Sequence, residues 1–219
     1  MITYESIKSN KAIRTYITRA DESLAALGYT EHSFAHVGKV AQTAGELLEV
    51  MGFDARTAEL ARIAGYLHDI GNLVNRSEHS QSGAVMAWTL LHDMDCDPAE
   101  QATIVTAIGN HDEGTGVPVN PVAAALILAD KADVRRSRVR NQDASTFDIH
   151  DRVNYSVIGS RLWVSDDRTA VTLELEIDTH YGSVMDYFEI FLGRMLLCRR
   201  AAERLGLTFK LIINGQPLM

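Results

Sequence analysis

The sequence is poor in the residues that would place it in a special class. Among 219 residues there are only two cysteines, Cys96 and Cys198. Two thiols cannot build a disulfide framework, and these have no metal-finger spacing. Both are expected as reduced thiols, with Cys198 in the core. Proline occurs four times, which excludes collagen-like and proline-rich linker chains. Long apolar runs are missing too. A run such as residues 122–129 falls far short of the roughly 18–20 residues a membrane span needs. The first residues, MITYESIKSNK, carry an acid and no apolar stretch, so no signal peptide is expected and a cytoplasmic location is. Positive charge is scarce: 21 Lys and Arg stand against 29 Asp and Glu, a formal net charge of −8. Such a chain is a poor general nucleic-acid binder. Hydrophobic content of 46% and charged content of 23% are ordinary for a folded domain and exclude a disordered one.

Up to about residue 145 the apolar residues recur at helical spacing. From His32 to Met51 they fall at Phe34, Val37, Val40, Ala41, Ala44, Leu47, Leu48 and Met51, with Gly52 as a stop. Asp54 is a candidate N-cap for a helix running to His68, which Gly71 ends. Further helices are expected over residues 79–91, from Asp97-Pro98 to about Asn110, and from Val122 to about Val134. Residues 111–121 form a turn-rich Gly/Pro loop. After residue 155 the pattern changes. Val171, Leu173, Leu175 and Ile177 alternate with polar residues, as in a half-buried strand. Residues 156–165 are its expected hairpin partner, with a turn at Asp166-Asp167. A helix over 182–205 and a strand over 207–213 follow. The expectation is a mainly α chain: a helical body over residues 1–150, and an appendage over 151–219 that packs a small antiparallel sheet and one helix on the same core.

Histidine is the unusual residue, with eight copies in 219 residues. His68-Asp69, in GYLHDIGN, stands where an apolar helix meets a glycine. Burying an imidazole beside a carboxylate is costly unless both find partners, and a metal ion satisfies both at once. The plainer reading is a helix-terminal pair, with His68 near the C-terminal dipole and Asp69 exposed. His36 lies on the apolar side of its helix, His111 ends another, and Asp130 interrupts the apolar run AAALILAD. Each alone would more often be a satisfied core polar residue. Together they point to one shared metal site. His32, His92, His150 and His180 are expected to be solvated or to lie outside the site.

His36, His68-Asp69 and Asp130 resemble the H…HD…D signature of the HD-domain superfamily of metal-dependent phosphohydrolases, over roughly residues 30–140. GYLHDIGN resembles the family's LLHDIGK, and LADKADVRR its segment around the last aspartate. EHSQSGAVMAW and NHDEGTGVP resemble segments of the bacterial diadenosine tetraphosphate hydrolases and of the HD-GYP cyclic dinucleotide phosphodiesterases. The resemblance implies an HD helical bundle with His36, His68, Asp69, His79, His111 and Asp130 as ligands. It also implies that Asp69 bridges two ions, with His36, His68 and Asp130 on one and His79 and His111 on the other. His68 and Asp69 are the expected catalytic pair. Two features depart from the pattern: Asn72 stands where the family often has lysine, and Val117 where HD-GYP proteins have tyrosine.

Mixed histidine and carboxylate ligands suit one or two divalent ions of Fe, Mn, Zn, Co or Ni and fit Mg or Ca poorly. The implied reaction is hydrolysis of a phosphoester or phosphoanhydride by metal-activated hydroxide. The expected substrate is small, phosphorylated and nucleotide-like. Arg135, Arg136, Arg138 and Arg140 form the one basic cluster, and guanidinium forks match phosphate oxygens. Arg135, Arg136, Arg138, Lys131 and Asn72 are therefore candidate substrate contacts, against the plainer reading of a solvated helix end. Asp133 is a candidate to orient a ligand histidine. A homodimer is compatible with the sequence. Two other functions share the ligand set: a mixed-valent di-iron oxygenase resembling inositol oxygenase, and a non-catalytic ligand-binding module.

Overall fold

Short polar residues start most helices by accepting hydrogen bonds from otherwise orphaned N–H groups. In the computed structural model, which describes residues 1–219, Ser33 caps α3 (Phe34–Val50), following α1 (Tyr4–Ser9) and α2 (Lys11–Ala26). Asp54 caps α4 (Ala55–Leu67) through the N–H groups of Arg56 and Thr57. Asp97 caps α6 (Pro98–Gly109), with Pro98 in the first turn, and Asn120 caps α7 (Pro121–Ala132). Between α4 and α6 lies α5 (His79–Asp93), preceded by Glu78 in the left-handed region at φ 56. That turn lets the helix begin at His79.

The helix expected to reach His68 stops at Leu67; His68 is its cap, and a 3-10 turn over Ile70–Leu73 follows. The chain can turn tightly here because of glycine. A Cβ on Gly71 would collide with the backbone of His79 and Gly83, so only glycine lets this turn lie against the start of α5. Gly65 acts similarly one turn earlier, where α4 presses on the backbone of Val40 and Ala41 in α3.

After α7 come short 3-10 turns and α8 (Ile149–Ser156), a helix without counterpart in the periodicity. Strands β1 (Val157–Val164), β2 (Ala170–Ile177), β3 (Thr208–Ile213) and β4 (Gln216–Pro217) form one sheet in the order β1-β2-β3-β4. β1 and β2 make the expected antiparallel hairpin, with Leu162 opposite Leu173. β3 is the exception in a mostly antiparallel sheet and pairs parallel to β2, with Leu173 opposite Leu211. The cause is α9 (Val184–Arg204), a crossover long enough to return the chain to the same edge direction. β4 is antiparallel to β3.

The class is therefore a mainly α fold with a small sheet. α7 is its central helix: Val122 to Ala129 are all buried, and it packs against α3, α4, α6 and α9. Tyr187, Phe191, Met195 and Cys198 of α9 join Leu173 and Leu211 of the sheet and the residues of α3, α4 and α7 in one continuous apolar core. No helix is long and apolar enough to cross a membrane.

Candidate metal centre

Five segments meet at one end of α7. His36 comes from α3, His68 and Asp69 from the end of α4, His79 from the first residue of α5, His111 from just beyond α6, and Asp130 from the last turn of α7. The histidines and Asp69 are buried. His36 Nε2 stands 3.5 Å from Asp69 Oδ2 and 3.4 Å from Asp130 Oδ1. His68 Nε2 stands 3.2 Å and 3.6 Å from the same two oxygens. The other oxygen of Asp69, Oδ1, lies 3.5 Å from His79 Nε2, whose neighbour at 3.2 Å is His111 Nε2. The two oxygens of Asp69 thus face two groups of imidazoles. The donor atoms of His36, His68 and Asp130 lie within 4.8 Å of one another, as do those of His68, Asp69 and His111.

Every one of the four rings is held the same way. Nδ1 of His68 contacts Gly65 O at 2.8 Å, Nδ1 of His111 contacts Ile108 O at 2.7 Å, and Nδ1 of His79 contacts Arg76 O at 3.1 Å. Nδ1 of His36 contacts Asp133 Oδ2 at 2.8 Å. Carbonyl and carboxylate oxygens only accept, so each Nδ1 carries a proton and each Nε2 faces inward. The Nε2 atoms of His36 and His68 are buried without a hydrogen-bond partner. Two Nε2 lone pairs 3.2 Å apart, as in His79 and His111, repel unless a cation lies between them.

The electrostatics agree. Burial, with the charges of neighbouring groups, pushes His79 and His111 below the ordinary imidazole range and keeps them neutral. Burial alone would do the same to His68, but the Asp69 and Asp130 carboxylates overcome it and raise its pKa to about 10. Asp69 and Asp130 remain ionised despite burial: His68 and His32 hold Asp69 well below the usual carboxylate range, and Lys131 and His36 do the same for Asp130. In the metal-free protein a proton on His68 offsets these carboxylates. A divalent ion offers the same balance and displaces that proton. Ligand atoms about 2.0–2.2 Å from an ion stand about 3.0–3.5 Å apart in tetrahedral or octahedral sites. The residues present fit such an ion.

A cavity of about 460 Å³ opens over this cluster. Lys131 lines it, with Nζ 2.8 Å from Asp130 Oδ2 and 2.7 Å from Glu113 Oε2. Asn72 lies beneath it and donates through Nδ2 to Asp69 Oδ1 at 2.9 Å. Of the arginine cluster only Arg138 lines the cavity, and it donates to the carbonyls of Glu31 and Asp133, each at 2.8 Å. Arg135 turns to Asp133 at 3.0 Å and Glu31 at 3.3 Å. Arg136 turns to Asp178 at 3.0 Å and to the carbonyl of Tyr155 at 2.7 Å. Arg140 pairs with Asp21. The structure thus does not bring Arg135 and Arg136 to the cavity as substrate contacts. The turn after α7 folds the cluster back onto acids of distant segments, which draw these side chains away. Arg135 and Lys39 hold Asp133, the acceptor for His36.

Several cavity residues escaped the sequence reading, among them His150, which was expected outside the site but lines the cavity from the start of α8. His32, expected in solvent, is only 11% exposed, with Nε2 4.0 Å from Asp69 Oδ2; its four-residue spacing from His36 was the available signal. Arg76, Glu113 and Arg194 also line the cavity. Arg194 reaches it from α9 and donates to Glu113 at 2.9 Å, a placement no local pattern announces. His92 stacks on Trp88, away from the cluster.

A helical body holds the H…HD…D side chains in one cluster, and residues 33–138 match the family model of the HD domain. Its similarity extends to the uncharacterized protein MJ1020 of Methanocaldococcus jannaschii, 26% identical over 160 residues. That alignment covers 63% of this chain and 61% of the archaeal protein.

Proposed function

We propose that the protein is a metal-dependent phosphohydrolase that cleaves a phosphoester or phosphoanhydride of a small, nucleotide-like substrate. One observation carries this reading: four imidazoles, each fixed through Nδ1, bring their Nε2 atoms together around two ionised carboxylates. His36, His68 and Asp130 would hold one divalent ion, His79 and His111 a second, and Asp69 would bridge them. When bound, such ions supply Lewis acidity that polarises a phosphoryl oxygen and makes water a nucleophile near neutral pH.

The chain's own residues set the surroundings. Asn72 donates to the Asp69 carboxylate and fixes the orientation from which it would reach both ions. Asp133 fixes the ring of His36. Lys131 and Arg194 hold Glu113 at the cavity wall. The cavity volume lies in the usual range for a small-molecule site, and its lining is polar apart from Leu27, Tyr29 and Phe191. Such walls suit an anionic, hydrogen-bonding molecule better than a lipid.

Metal analysis of the purified protein, followed by a nucleotide and phosphoester panel with Mn, Co, Ni and Fe, tests the reading. Asp69→Ala should lose bound metal and hydrolysis together, and His92→Ala neither. Full hydrolysis by Asp69→Ala would refute it. Turnover that needs oxygen and iron, with no phosphate released, would assign the oxygenase chemistry instead.

A further inference from the structure

The cations lining the cavity are not equivalent. Lys131 has two carboxylate partners, Asp130 and Glu113. Arg194 shares Glu113. Arg138 is engaged by two backbone carbonyls and lies 3.9 Å from the Asp133 carboxylate. Each therefore has its charge or its donors met by the protein. Arg76 differs. It lines the cavity and is half-buried, yet no carboxylate lies within 4 Å of its guanidinium. Its contacts are neutral: Nη1 donates to Asn72 Oδ1 at 3.3 Å and lies 3.5 Å from His79 Nε2, and the ring of Tyr29 is 5.8 Å away.

A guanidinium has five donors in a planar fork. Arg76 uses one well, and the rest remain for a ligand. Partial burial without a counter-charge costs free energy that an entering anion recovers. The position is also defined. The Arg76 carbonyl accepts from Nδ1 of His79, so one residue orients a ligand imidazole through its backbone and sets a cation beside it through its side chain. Asn72 links the two parts of the site: its amide donates to Asp69, and its oxygen accepts from Arg76.

We propose that Arg76 is the anion-receiving residue of the cavity, taking a phosphoryl oxygen of the substrate beside the His79–His111 pair, with Asn72 as a positioning residue. The proposal rests on the phosphohydrolase reading for its ligand class and deepens it. It places the anion on the side of the cluster formed by α5 and the end of α6, away from the arginines that follow α7.

Orthophosphate is the probe. Its affinity for the metal-replete protein is measured by titration calorimetry, with metal content determined on the same samples. Arg76→Ala should weaken orthophosphate by about tenfold or more at unchanged metal content. Arg76→Lys, which keeps the charge and loses the fork, should fall between that variant and the wild type. Arg76→Gln removes the charge while keeping a polar side chain, and repeats the test if alanine disturbs the turn. Asn72→Ala should weaken orthophosphate less than Arg76→Ala does. Equal affinity in wild type and Arg76→Ala at equal metal content would overturn the proposal, as would a metal-replete wild type that binds no orthophosphate. The two readings fail separately. Binding that depends on Arg76 without hydrolysis of any phosphoester would sink the hydrolase alone. Hydrolysis with binding indifferent to Arg76 would sink this assignment alone.

Discussion

Gly65 joins the helix crossing to the candidate metal centre, and Gly65→Ala tests that link. A Cβ there would stand 2.7 Å from Ala41 Cα, 2.9 Å from Ala41 N and 3.1 Å from Val40 C. All three are backbone atoms of α3 and cannot rotate away. Restoring ordinary carbon contacts of about 3.5–4.0 Å requires α3 and α4 to separate by about 1 Å. Overpacking of this kind costs about 1–3 kcal/mol, and rigid backbone places Gly65→Ala near about 3 kcal/mol. For a chain of this size that lowers Tm by about 6–12 °C. The same shift separates His36 on α3 from His68, whose Nδ1 is anchored to the carbonyl of residue 65 itself. Sites of this kind tolerate displacements of only about 0.5 Å, so metal affinity should fall with stability. Gly193→Ala is the control. Gly193 lies in α9 with nothing within 4 Å of the added Cβ, and helix propensity predicts a gain of about 0.5–1 kcal/mol. Thermal unfolding of chelator-treated protein reads the first effect, and metal content after reloading reads the second. Gly65→Ala unfolding at the wild-type temperature with wild-type metal content would refute the reasoning.

Asp133→Ala removes the acceptor for His36 Nδ1 and should weaken metal binding by about 10–100-fold; competition against a chelator measures it, and unchanged affinity would free His36 from this dependence. Arg136→Ala loses its contacts to Asp178, Tyr155 and Tyr181, all outside the metal-ligand cluster, so it should lower Tm while leaving KM for any substrate unchanged; a raised KM would return this arginine to the cavity. Glu100 is held below its ordinary value of 4.5 by the hydrogen bonds from Arg56. A depressed carboxylate stabilises the fold above its unfolded pKa and loses that contribution as pH falls through the folded value. Glu100→Gln should therefore cost about 1 kcal/mol at neutral pH, and the gap to wild type should close as pH drops below 4.5; a gap that persists in acid would assign the loss to packing.

What could be read in the chain was decided by local physics. Asp54 and Asp97-Pro98 mark helix starts because a short acceptor meets orphan N–H groups nearby. The alternation from Val171 to Ile177 marks a strand because one face meets the core. The parallel pairing of β2 and β3 has no such local mark, since it depends on where α9 carries the chain. The metal-ligand candidates were visible because histidines and carboxylates are expensive on apolar helices wherever they occur. The cations were a different problem. Arg136 and Arg76 read alike in sequence, and a cluster of four arginines near Asp130 outweighs a single one beside Asn75 and Ser77. Which of them is free to take a ligand is decided by the acids that surround them. Asp178 lies 42 residues from Arg136, and Asp21 lies 119 residues from Arg140. Only folding brings those carboxylates in, and it satisfies the crowded arginines and leaves the solitary one without a counter-ion. Local charge density is thus a poor guide to an anion site in an acidic protein, because dense positive charge is what distant carboxylates neutralise first.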